Sequence, residues 1–290
     1  MGSKATVSIT DDRQKRVIRT SSAANLLCNR VGEVTGKSPL SWCASPLRIA
    51  GGAAVRAHRG AVGTLWVASR GEIEVAVIGG AAARGAAVMV GPNLTHAVTI
   101  HAPAARCYFG APLIADGRRV AAVMTPAGTG LWTTPAAWSP RGGSGGEATA
   151  PSAIAARIGD AARRDGCDVD PRVVAAIMAL RATPWRAHRA RDLARMTHLS
   201  ESRFRHILKA ETALTLKRLR VWLRLEWALM AAQRGSNLTA AAHDAGFSSS
   251  AHFSSACRDG LGLTPSQIVA ALRPGAVQSF NGSGARTSSR

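Results

Sequence analysis

The chain has 290 residues, of which 46% are hydrophobic, enough for more than one packed core, and this excludes a largely disordered protein. With 37 Lys and Arg against 17 Asp and Glu, a formal net charge of +20, the expected partner is a polyanion: nucleic acid first, an acidic membrane surface second. No apolar run reaches the ~20 residues that span a bilayer, and Asp11, Asp12, Arg13, Lys15 and Arg16 stand where a secretory leader needs an apolar stretch, so the expected location is cytoplasmic. Cys28, Cys43, Cys107, Cys167 and Cys257 are odd in number, scattered and free of any C-x-x-C pair. That pattern excludes a zinc ribbon and argues against a disulfide framework, leaving buried free thiols as the expectation.

Residues 1–45 read as a basic, loosely structured segment. Residues 46–138 carry short β-type runs punctuated by glycine: 64–68, 73–78, 87–90, 97–100 and 120–124. Turns at about ten-residue spacing predict a small antiparallel barrel or jelly roll. Ser139-Pro140-Arg141-Gly142-Gly143-Ser144-Gly145-Gly146 breaks both helix and strand, and 139–152 is read as a linker. From 153 to 275 the composition turns to Ala, Leu and Arg with helical periodicity, and 276–290 reads as a loose tail. The fold class expected is α+β in two domains.

The helical half contains two similar units. In the first, residues 191–210, Ser200 is placed to cap a helix whose Phe204, Ile207 and Leu208 recur at i, i+3 and i+4. Its other face carries Glu201, Ser202, Arg205, His206 and Lys209, a composition suited to a helix-turn-helix reader as well as to plain solvation. In the second, residues 238–258, Ala241, Ala242 and Ala245 permit a close helix crossing. Gly246 suits the positive φ of a turn, and Phe253, Ala256 and Cys257 repeat the apolar spacing. Between them, 214–234 has apolar residues on more than one face, as a helix buried on both sides requires.

Residues 191–268 resemble the double helix-turn-helix domain of AraC-type transcription regulators. The resemblance lies in Leu193-Ala194, Leu199-Ser200, Phe204, Leu208-Lys209, Thr212, Arg224-Leu225, Ala228, Ala242, Gly246-Phe247, Phe253 and Gly262-Leu263-Thr264-Pro265-Ser266. It implies recognition helices at 201–209 and 249–258, with base-facing positions at Ser202, Arg205 and His206 and at Ser250, Ala251, Ser254 and Ser255. Lys209 and Arg258 are read as phosphate contacts. Ala213 departs from the family glycine at a helix end and Cys257 from its phenylalanine, and the second helix offers the groove only short side chains.

Residues 56–125 are more weakly similar to the cupin-like sensor domain that often precedes such a region, through His58, Gly71-Glu72-Ile73-Glu74-Val75 and Val90-Gly91-Pro92-Asn93-Leu94-Thr95-His96. His58, Trp66 and His96 are the candidate ligand-lining residues, against a purely structural role for each. No H-x-H surrounds His58, so no metal or other cofactor is expected. No nucleophile–base or phosphate-loop arrangement stands out, so no catalytic residue is expected. The resemblance implies a transcription regulator, responsive to a small molecule, with promoter DNA, RNA polymerase and a second copy of the chain as partners and no membrane. A cupin-type metal oxygenase fused to a DNA-binding region, and an architectural DNA binder without sensing, remain the other readings.

Overall fold

A computed structural model describes residues 47–109, 124–134 and 170–272. The expected N-terminal segment, the linker at 139–152, the strand at 120–124 apart from Met124, the start of the helical half and the C-terminal tail lie outside the described residues. The N-terminal half is all β: β1 (Leu47–Ala50), β2 (Ala54–Arg59), β3 (Thr64–Ala68), β4 (Ile73–Val77), β5 (Ala82–Gly85), β6 (Ala87–Val90), β7 (Thr95–Ile100), β8 (Ala104–Phe109), β9 (Thr125–Gly128) and β10 (Leu131–Thr133). Successive strands are dealt to two antiparallel sheets, a six-stranded one in the order β1-β8-β3-β6-β10-β9 and a four-stranded one in the order β2-β7-β4-β5. Pairing therefore ends at four edges, and no closed barrel forms among the described residues, in contrast to the barrel that turn spacing suggested.

Sequence explains which strands sit where. β3 and β6, apolar almost throughout, are buried along their whole length and lie inside the larger sheet, as strands covered on both faces should. β7 alternates, with His96, Val98 and Ile100 buried and Thr95 and Thr99 exposed. Its partner β2 carries an irregularity: Val55 pairs with Val98, but the next aligned pair is His58 with His96. This extra residue on β2 is a β-bulge, which turns His58 rather than Ala57 inward.

The helical half comprises α1 (Pro171–Ala182), α2 (Ala190–Met196), α3 (Glu201–Thr212), α4 (Leu216–Gln233), α5 (Leu238–Asp244), α6 (Ser250–Leu261) and α7 (Pro265–Leu272). Five of these helices start on a side-chain cap: Asp170, Ser200, Thr215, Asn237 and Ser249 accept from backbone N–H groups at the starts of α1, α3, α4, α5 and α6, whereas α2 has none. In α4, Leu216, Leu219, Trp222, Leu223, Leu225, Ala228, Leu229 and Ala231 are buried, so the helix is enclosed by α1, α3, α5, α6 and α7. Each large apolar side chain buried there contributes about 1.5–3 kcal/mol.

Both long reader-type helices end in a left-handed residue, Ala213 at φ 57° after α3 and Gly262 at φ 69° after α6. Glycine adopts this conformation freely, whereas alanine pays its Cβ clash with the following carbonyl. Ala213→Gly should therefore raise stability by about 1 kcal/mol. Gly262→Ala should lower it by about 2 kcal/mol or more, because its new Cβ would lie 2.6 Å from both His58 Nδ1 and Val55 Cγ1. Urea unfolding of the two variants checks the opposite signs; a destabilised Ala213→Gly would show that the alanine methyl packs usefully at the cap.

Candidate nucleic-acid interface

The two units are built alike. α2 and α3 are joined by a turn in which His198 takes φ 55°, and α5 and α6 by one in which Gly246 takes φ 90°. Phe204, Ile207, Leu208 and Thr212 bury one face of α3, and Phe253, Ala256, Cys257 and Leu261 bury the corresponding face of α6. Burial pushes the Cys257 thiol up to about 12, which suits a packing residue. Cys107 and Cys257 are both buried.

On the outward face of α3, Ser202, Arg205, His206 and Lys209 are all exposed. On α6, Ser250, Ala251, Ser255 and Arg258 are exposed and Ser254 is half-buried. The structure thus brings the expected residues of each helix onto one accessible face, strongly basic on α3 and dominated by hydroxyls on α6. Sequence reasoning did not give Arg205 a partner: its Nη2 and Nε donate to Glu201 Oε1 at 2.6 and 3.1 Å. The i, i+4 spacing is the signal that could have found it. Such an exposed pair is worth about 0.3–0.5 kcal/mol, less than the 1–3 kcal/mol of a bidentate guanine contact, so the pairing orients the guanidinium without withholding it. His252 was also passed over; in the first turn of α6, its Nδ1 lies 3.2 Å from Ser248 Oγ and its ring is edge-on to Phe247 at a centroid distance of 5.2 Å.

The β-rich half reaches the ends of both reader-type helices. Asn93, in the turn before β7 and itself at φ 70°, donates through Nδ2 to the Ala213 carbonyl at 3.1 Å. Arg218 in the first turn of α4 donates to Asn93 Oδ1 and to the Arg59 carbonyl at 3.0 Å. At the other helix, the Gly262 cap lies against His58, Val55 and Arg56 of β2.

His58 and His96, two of the three candidate ligand-lining residues, face each other across β2 and β7 with ring centroids 4.3 Å apart. Each Nδ1 is held by a carbonyl two residues back, Arg56 at 2.9 Å and Leu94 at 3.1 Å, while His96 Nε2 is buried without a partner among the described residues. Trp66, the third, sits on the other sheet, 1% exposed, with Nε1 also buried and unpartnered among the described residues. Among the described residues no three His, Cys, Asp or Glu side chains gather as metal ligands.

A family profile described as "Helix-turn-helix domain" matches residues 193–271, the stretch from α2 to the last turn of α7. Residues 193–271 are an AraC-type helix-turn-helix domain. It is a DNA-binding domain of transcription regulators, carried here behind two antiparallel sheets. No curated protein matches the sequence. Among solved structures, the fold is similar to that of ToxT from Vibrio cholerae O395, at 10% identity and TM-score 0.52 over 80% of this chain and 98% of that one. It is similar also to ToxT bound to (E)-4-(8-methylnaphthalen-1-yl)but-3-enoic acid, at 10% identity and TM-score 0.51 over 80% of this chain and 100% of that one. Among the described residues no helix is long and apolar enough to cross a membrane.

The histidine pair against the AraC-type domain has a measurable signature. Burial, then the neighbouring His96, hold His58 down to about 4 from an ordinary 6.5, against a smaller opposing effect of its bond to the Arg56 carbonyl; burial lowers His96 too. Between those two values the unfolded chain binds a proton at His58 and the folded chain does not. Stability is then complete above the ordinary value and falls as pH drops toward 4, by up to roughly 3 kcal/mol for His58 alone. His58→Gln should flatten the fall in urea midpoint between pH 7.5 and pH 5; an unchanged fall would assign it to other groups.

Proposed function

We propose that the chain is a sequence-specific transcription regulator whose two helix-turn-helix units read double-stranded promoter DNA unequally. The observation that carries this reading is the contrast between the exposed faces of α3 and α6. Arg205 has the planar fork that matches guanine O6 and N7, and His206 beside it donates or accepts one further bond, with Ser202 on the same face. Ser250, Ser254 and Ser255 reach base edges only through short hydroxyls or water, and Ala251 only by apolar contact. Lys209 and Arg258, near the ends of their helices, suit phosphates.

We read the β-rich half as a cupin-like sensor for a small effector, with His58, Trp66 and His96 as the residues closest to that role. What supports this is the seam by which Asn93 and β2 touch both reader-type helices. That ToxT, with a similar fold, holds a butenoic acid derivative supports it further. The same reading carries with it domain limits of 46–138 and 153–275 around a linker at 139–152, a cytoplasmic location, RNA polymerase as a partner and a second copy of the chain.

Selection of bound sites from random DNA tests the central part. Arg205→Ala should cost about 1–3 kcal/mol on the selected site and relax preference at one or two positions, whereas Lys209→Ala or Arg258→Ala should weaken all sequences alike and reduce the salt slope by about one unit. Ser254→Ala should cost less than either. Uniformly weaker binding by Arg205→Ala with the same base preferences would place Arg205 on the backbone and end the unequal-reader account.

A further inference from the structure

The AraC-type match begins inside α2, yet the segment before it touches the second unit. α4 and α5 are connected through residues 234–237, all exposed, and Gly235 in that turn has φ 95° with nothing within 4 Å of where a Cβ would be. The turn does not itself fix where α6 lies relative to α3. Packing of both on α4 does so in part, and a second contact adds to it. The backbone of Trp185, between α1 and α2, abuts the α5–α6 turn so closely that a Cβ on Gly246 would lie 2.8 Å from the Trp185 Cα and 3.3 Å from its carbonyl oxygen.

The Trp185 segment is anchored to α4 in turn. Its ring meets Trp227 edge-on at a centroid distance of 6.0 Å. Arg224 Nε donates to the Pro184 carbonyl at 3.0 Å. Arg181, in the last turn of α1, forms a two-pronged ion pair with Glu226 at 2.8 and 3.1 Å, with side chains only 22% and 14% exposed. Residues 181–185 thus grip α4 at three points along one stretch and present a rigid backbone to the turn that precedes α6.

We propose that Trp185 is a positioning residue that sets the spacing at which the second unit reads DNA relative to the first. This deepens the proposed function and rests on it, since both units must meet the duplex. Adding one base pair between two segments rotates one about the helix axis by ~34° relative to the other. A held second unit rejects that change, and a loosened one follows it.

The test uses the full chain and a site obtained by selection, with one or two base pairs added or removed between the segments lying under α3 and α6. The unaltered protein should lose about tenfold or more in affinity on changing the spacer, whereas Trp185→Ala should bind the original spacer more weakly and vary less than about threefold across spacers. Trp185→Phe should retain the sharp dependence. Gly246→Ala, whose methyl forces the Trp185 backbone away, should give the flat profile too, and keeps the test open if Trp185→Ala does not fold. Sharp spacer dependence in both Trp185→Ala and Gly246→Ala would overturn the proposal, as would its absence in the unaltered protein. Failure of the underlying DNA reading shows separately, as an Arg205→Ala variant whose base preferences are those of the unaltered chain.

Discussion

Burial of α4 around most of its circumference is the constraint on which the helical half depends. A helix of 18 residues rises about 27 Å, close to one turn of B-DNA, and its apolar residues point in several directions. It is stable in water only if other helices cover it. α1, α3, α5, α6 and α7 do so, and in covering it they are held at fixed places along its length. The reader-type faces of α3 and α6 are what remains outside once that burial is satisfied: their apolar faces are spent on the core, and the polar faces are left to solvent or to a groove.

The second constraint lies at the ends of the same two helices. A helix terminating in a left-handed residue turns its chain sharply and leaves its last carbonyls to find partners. Here the carbonyl of Ala213 is taken by Asn93, and the cap at Gly262 is pressed on β2 beside His58. One strand and one turn of the β-rich half therefore meet both readers at equivalent points. Any change in the register or tilt of β2 and its neighbouring turn is felt at both caps together, and the buried histidine pair makes that contact sensitive to charge in a way an aliphatic pair would not be.

Much of this was legible in the sequence wherever a local rule decides the outcome. Ser200 caps α3, Gly246 takes the positive φ its turn needs, and the runs at 64–68, 73–78 and 87–90 are strands because apolar β-formers lie between glycines; Ser249, expected inside the second recognition helix, is instead its cap. The expected helix ends at Lys209 and Arg258 fell short, since α3 and α6 run on to Thr212 and Leu261 before the left-handed residue stops them. The alanine at 213 hid one of those stops, because only glycine advertises it. β2, β5 and β9, poor in large apolar residues, and β10, only three residues long, gave little periodicity. Their pairing partners decide them, and a β-bulge that brings His58 opposite His96 leaves no trace in alternation. The Glu201–Arg205 pair was readable from i, i+4 spacing, but the Trp185–Gly246 contact joins positions 61 residues apart and exists only after folding.

The central claim is that two readers lie on one duplex and that one of them carries most of the base recognition. Chemical protection of a selected site by the full chain tests it most directly, with dimethyl sulfate reporting guanine N7 in the major groove and hydroxyl radical reporting the backbone. The account predicts backbone protection over two segments about one helical turn apart, with guanine N7 protection confined to the segment under α3. Backbone protection over a single segment, or guanine protection of equal strength under α6, would contradict it.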